Sequence, residues 1–323
     1  MKDLSREEKA ILATIVYFDI FSYPLTAFEV YKYLLSPQGD PLDAELFQIK
    51  RLLETSATLQ KKIQTRQGFY FLRGKENSVS LRKTRYKIAE KKFKKARKLF
   101  FLLSKIPFIQ MICVCNTLAY SNSREESDID LAIFCRPKTL WLTRLLAVSA
   151  MELLGQRPTD DDFKNKICMS FFLSEDSLSL EKYQSEKTDI HFIYWQAQFY
   201  PIFIRKNICF TFHNRWVKKY LPNHLASPIS DRRTIKTTAE NKIRSTLKTS
   251  RHRSAMEAVA KKYQLNILPP KLKAAADEPT TDVILQDDII KMHSNDRRLE
   301  YNRKFKLRYE SILKYYEETA KNN

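Results

Sequence analysis

From Ile106 onward the chain changes its hydrophobic period, and that change restricts the fold more than any other feature of the sequence. PFIQMICVCNT (107–117) and KICMSFFLS (166–174) are short, almost unbroken apolar runs of the kind found in strands buried on both faces. Between them stands SDIDLAIFC (127–135), a third run, opened by Asp128 and Asp130. WLTRLLAVSAMELLG (141–155) has helical spacing and a glycine stop at Gly155. DIHFIYWQAQFYPIF (189–203) reads as an apolar helix halted at Pro201. Strands interleaved with helices in this way indicate a compact α/β or α+β domain, and residues 106–224 are expected to form a central α+β domain with a mixed sheet.

The flanks have a different character. Residues 1–76 read as three helices and a hairpin. EEKAILATIVYFDIF (7–21) is broken by Tyr23-Pro24, Thr26 is placed to cap AFEVYKYLL (27–35), and AELFQIKRLLETS (44–56) follows a proline-rich loop. KKIQTRQGFYFLRG (61–74) then reads as two short strands around Gln67-Gly68. Three helices and a basic hairpin are the order of a winged helix, whose third helix can enter a DNA major groove. Gln48, Lys50 and Arg51 are its candidate base readers, and the same fold also serves as a protein-interaction module. Residues 77–105 are expected to be a basic connecting helix, and 225–323 a basic linker followed by C-terminal helices.

Charge narrows the class of partner. Fifty-seven Lys and Arg against 37 Asp and Glu leave a net charge of +20, which favours polyanions. Between Arg82 and Lys98 there are ten basic residues and one acid, with Ile88, Phe93, Ala96 and Phe100 on a narrow apolar stripe. Such a helix is either a solvated connector or a ridge that tracks RNA or DNA phosphates. No apolar run reaches the roughly 20 residues that span a bilayer, so no membrane insertion is expected. Five scattered cysteines (113, 115, 135, 168 and 209) mostly in strand-like runs point to a reduced, buried set in a cytoplasmic protein. Without a CxxC pair a zinc site is not expected.

The chemistry gathers on Asp128 and Asp130. Carboxylates at i and i+2 on a strand project from one face, roughly 7 Å apart along the backbone. Burying two of them together is costly unless a cation neutralises them. Upstream, a strand ends in Cys115-Asn116-Thr117, followed by Leu118-Ala119 and SREESDIDL. This stretch resembles the nucleotidyltransferase superfamily with the DNA polymerase beta fold, over about Pro107 to Leu173. The resemblance implies that Asp128 and Asp130 are catalytic and hold Mg2+ or Mn2+, and that the Asn116–Thr117 turn binds a nucleoside triphosphate. It further implies a third carboxylate on a later strand. Two positions depart from the family pattern. Asn116 stands where the family has glycine, although Asn tolerates positive φ better than other side chains. The third carboxylate is unassigned, with Glu175, Asp176 and Asp189 as candidates. The expected function is metal-dependent nucleotidyl transfer from an NTP to an acceptor hydroxyl on nucleic acid, protein or a small molecule. The alternative is a non-catalytic nucleic-acid-binding or regulatory protein with a degenerate transferase domain. His191 and His213, in aromatic stretches, read as core histidines, and Asp160–Asp162 as the start of a helix.

Overall fold

A computed structural model describes residues 4–205, 208, 210–224, 232–235, 250–293 and 296–321. Cys209 and most of the expected linker lie outside the described residues. The chain is mixed α+β with a three-stranded antiparallel sheet and a six-stranded mixed sheet.

The first unit forms where local signals predict it. Helix α1 (Arg6–Asp19) opens with a capping box between Ser5 and Glu8, and α2 (Ala27–Lys32) with one between Thr26 and Glu29. Strand β1 (Leu25–Thr26) precedes α2, and α3 (Leu46–Thr55) follows. Strands β2 (Ile63–Arg66) and β3 (Phe69–Leu72) turn at Gln67 and Gly68, both at positive φ, and the sheet order is β1-β3-β2. On α3, Lys50 and Arg51 are exposed, as is Phe47.

Helix α4 (Asn77–Ser104) is continuous for 28 residues, roughly 42 Å. Ala89, Phe93, Ala96 and Phe100 form its buried stripe, with Ile88 at the margin. The basic run on this helix is not uniform. Lys91, Lys94, Lys95 and Lys98 are exposed, whereas Arg82 pairs with Glu29 at 2.8 Å and Lys92 is buried, 2 % exposed.

Strand β4 (Ile109–Val114), α5 (Asn116–Ala119), β5 (Ile129–Cys135), α6 (Leu140–Leu153) and β6 (Ile167–Ser174) follow in order. Next come α7 (Ile190–Ala197) and β7 (Tyr200–Ile204). Pro201 therefore does not halt a helix. It sits in an edge strand, paired with Cys113 beside a register shift on β4. Asp160–Asp162 start no helix either; they lie in the loop before β6, and Asp162 meets Lys166 at 2.9 Å.

Short helices α8 (Phe210–His213) and α9 (Val217–Tyr220) lead to α10 (Ser250–Ile267) and α11 (Pro270–Asp277). Residues 287–292, expected to open a C-terminal helix, instead turn into β9 (Ile289–Met292), which forms a hairpin with β8 (Val283–Leu285). Helix α12 begins only at Arg298 and runs to Lys321. The large sheet has the order β7-β4-β5-β6-β9-β8, with β5 and β6 parallel and every other pair antiparallel.

One face of this sheet (Ile112, Leu131, Ile133, Phe172) packs under α4 and α6 through Phe93, Phe100 and Trp141. The other (Cys113, Ala132, Phe134, Phe171) packs against Trp195 and Phe199. Ile129 and Leu131 are core residues, as their alternation predicts, which leaves Asp128 and Asp130 on the second face. Helix α12 returns across α1, placing Phe305, Tyr309 and Tyr316 in the core of the first unit.

Candidate metal centre

The start of β5 is held from three directions. Ile129 N–H donates to the Lys166 carbonyl at 2.8 Å, and Asn165 N–H donates to the Ser127 carbonyl at 3.1 Å. The buried Lys92 ammonium reaches from α4 to the same carbonyl and to the Ser127 hydroxyl at 3.2 Å. A lysine that composition assigns to a solvated run thus fixes the residue before Asp128, and its positive charge favours that carboxylate's ionised form.

The third member of the cluster is a thiol. Parallel pairing of β5 with β6 sets Cys168 opposite Asp130. One ligand atom each from Asp128, Asp130 and Cys168 lies within 4.8 Å of the other two. One residue further on, β6 carries an extra residue, so that Ala132 pairs with Phe171. Bulges of this kind re-aim side chains beside functional sites. Burial, then the neighbouring Asp128 charge, pushes the Asp130 carboxyl up to about 7. Asp128 is raised by burial, against hydrogen bonds from its own backbone and from Cys168. Burial and both carboxylates raise the Cys168 thiol. Three acidic groups disfavour one another's charge here, and a divalent cation among them would reverse each shift. The group is able to hold a metal ion. The two carboxylates suit a hard divalent ion, and the thiol suits a softer one.

Asn116 does stand at positive φ, 55°. Its side chain is a strut. Oδ1 accepts from the Trp195 indole N–H at 2.8 Å, and the amide hydrogen-bonds the Asp130 carboxylate. Asn116 therefore braces the Asp130 carboxylate against Trp195 on α7. We expect Asn116→Gly to lower stability by about 1–3 kcal/mol, the cost of losing hydrogen bonds at a charged group, despite the easier backbone. Thermal unfolding with Trp195 fluorescence measures this; an unchanged Tm would remove the strut from the account. Thr117 borders the same space, and its carbonyl accepts from Asn122 N–H at 2.8 Å.

Asn116, Thr117, Asp128 and Asp130 open on a cavity of about 450 Å3. Its far wall comes from segments that the sequence pattern did not connect with these residues. Lys291 and His293 arrive on β9 and the residue after it, and Asp296, Arg298 and Tyr301 at the start of α12. His293 Nε2 is 3.0 Å from the Ser170 hydroxyl on β6. Asp296 accepts from Lys291 at 2.5 Å and from Arg298 at 2.8 Å. Burial works to raise Asp296, but these two cations prevail and hold it below the usual carboxylate range. An aromatic side is built by Tyr17, Phe21, His191 and Tyr301. His191 is half-buried, bonded to the Tyr17 hydroxyl at 2.9 Å and pushed down to about 4 chiefly by desolvation, so its ring is neutral near pH 7. His213 is exposed.

None of the three carboxylates proposed from the sequence joins Asp128 and Asp130. Glu175 and Asp176 follow the opposite end of β6, where Asp176 bonds Ser174. Asp189 is fully buried and committed to capping α7, to Asn302 at 2.9 Å and to Arg298 at 3.4 Å. No family model, curated protein or solved structure matches the chain.

Proposed function

We propose that this chain is a metal-dependent nucleotidyltransferase, moving a nucleoside monophosphate from an NTP to an acceptor hydroxyl and releasing pyrophosphate. The observation that carries the reading is the convergence of Asp128 and Asp130 with the Asn116–Thr117 turn on one cavity. A bound divalent cation, Mg2+ or Mn2+ by the family resemblance, would supply charge neutralisation for the phosphates. The chain's own residues do the rest. Asp128 and Asp130 hold the ion, and Asn116 orients Asp130. The aromatic side offers a stacking surface for a base, and the neutral His191 brings no charge to it. Asp296, held ionised by Lys291 and Arg298, adds a further carboxylate to the cavity wall.

The cavity lies between the large sheet, α1 and α12, so the first unit and the C-terminal helix both border the reaction space. In this reading the first unit is a winged-helix-like module, the central segment a nucleotidyltransferase domain, and 298–321 a helical clamp. Pyrophosphate release, measured with each NTP, either metal, and RNA, DNA or no added acceptor, tests the activity. Absence of release in every combination would leave the second reading, a nucleic-acid-binding protein with a degenerate transferase domain. One observation favours that second reading: a thiol, not a carboxylate, is the third member of the cluster.

Nucleic acid is the polyanion this reading favours, along α4. Replacing the exposed Lys91, Lys94, Lys95 and Lys98 with Gln should flatten the log–log salt dependence of duplex DNA binding by roughly three to four units. Lys92→Gln should leave the slope unchanged because that side chain is buried. A slope that moves only when Lys61, Lys62 and Arg66 are changed would transfer the contact to the hairpin of the first unit. Among the described residues, no helix is long and apolar enough to cross a membrane.

A further inference from the structure

We propose that Cys168 is the third protein ligand of the metal centre, and that the centre takes a thiophilic divalent cation of the zinc class in preference to magnesium. This rests on the metal-dependent reading above and replaces the Mg2+ or Mn2+ that the family resemblance implies.

The position of the thiol is set by the fold. Cys168 pairs laterally with Asp130 across parallel strands, one of the more rigid relationships a protein can impose on two side chains, and its sulfur shares the 4.8 Å cluster with both carboxylates. Its hydrogen-bonding neighbours are Ser170 and the carboxylates themselves. Two carboxylates and a thiolate form a mixed hard and soft donor set. Magnesium takes oxygen ligands and keeps its waters, whereas zinc accepts thiolate and carboxylate together. Three protein ligands are also the number that leaves a fourth tetrahedral position for water or substrate. The sulfur–metal bond forms as the thiol proton passes to solvent, so binding releases protons.

A second observation points to a ligand on the open side. Gln198, only 6 % exposed, borders the adjoining cavity, and its Nε2 has no hydrogen-bond partner. A buried amide donor without a partner costs stability, and groups of this kind are retained where a bound molecule or ordered water completes them.

The test uses the full chain and the metals alone. Cadmium or cobalt is titrated in while the thiolate-to-metal charge-transfer absorption is followed, with calorimetry in parallel. The band should grow with occupancy in the wild type and be lost in Cys168→Ser, with zinc affinity reduced by at least about tenfold. Cys168→Asp should lose the band and bind magnesium or manganese more tightly than the wild type. Binding without a band, or a band that survives Cys168→Ser, overturns the thiolate ligand while leaving an aspartate-held ion intact. If calorimetry detects no binding of any of these cations, both this inference and the metal-dependent reading fall. Should Cys168→Ser not fold, alkylation of Cys168 in the wild type, read by peptide mass spectrometry, decides. Zinc and not magnesium should slow it by about tenfold or more, and equal rates would overturn the proposal.

Discussion

Asp128→Asn combined with Asp130→Asn is expected to abolish pyrophosphate release, a loss beyond about a thousandfold, the upper range for removing one preorganised electrostatic group. Each asparagine keeps the shape of its aspartate and removes a negative charge from the trio, so a bound cation would lose two of its three candidate donors. The binding readout is independent of turnover. Metal with NTP at a hundredfold over Kd should stabilise the wild type by about 2.7 kcal/mol, and the double variant by nothing. In the absence of metal the sign reverses. Removing mutually repelling carboxylates should leave the variant at least as stable as the wild type. A thermal shift that survives in the double variant would place the nucleotide elsewhere.

Arg298→Met is expected to cost about 3–5 kcal/mol, because it leaves Asp189 and Asp296 buried without their shared cation. Arg298 also donates to the Tyr183 carbonyl at 3.0 Å and to the Thr281 hydroxyl, so one side chain ties the loop before α7 and the strand hairpin to the start of α12. Urea unfolding gives the total, and amide exchange should show the protection of 298–321 falling first. The pH dependence has the same origin. Asp189 and Asp296 both titrate below the usual carboxylate range, Asp189 through bonds from Ser185, Asn302 and the α7 backbone that outweigh burial. A depressed folded-state value means that the stabilisation is complete above the unfolded value near 4 and disappears as pH falls through the folded values. Wild-type stability should therefore drop steeply below about pH 4, and Arg298→Met should flatten that drop. Near-neutral stability of the variant equal to the wild type would show that the aspartates find other partners.

What could be read from the sequence was whatever short-range chemistry determines. The Thr26 cap, the Gln67-Gly68 turn and the Asp128–Asp130 pair each depend on residues within a few positions of one another, and each is where the pattern puts it. The positive φ at Asn116 is legible for the same reason. What could not be read depends on pairing across long separations. Ile289, Ile290 and Met292 fit a helical stripe as well as a strand, and only the unpaired edge of β6 selects the strand. Cys168 enters the cluster through strand register, which no spacing motif encodes. Lys92 is hidden among nine other basic residues, and nothing local separates it from its exposed neighbours. The one usable sign was its position: Ala89, Phe93 and Ala96 put residue 92 at the margin of the buried stripe.

The order of strands in the large sheet has a consequence for the chain as it is made. Strand β6 lies in the middle of the finished sheet, yet β9, which covers its outer edge, follows more than a hundred residues later. At translation rates of 5–20 residues per second, that edge waits roughly 6–24 s for its neighbour. Throughout the wait, ICMSFFLS presents unpaired amide and carbonyl groups on an apolar, uncharged strand, the kind of segment that templates aggregation. The nascent protein thus passes through a stage in which its central strand is an open edge, and it would gain from a holding chaperone until residues 289–292 emerge. Sheet closure waits on the synthesis of β9 for this topology, and truncations upstream of it should accumulate as insoluble chains.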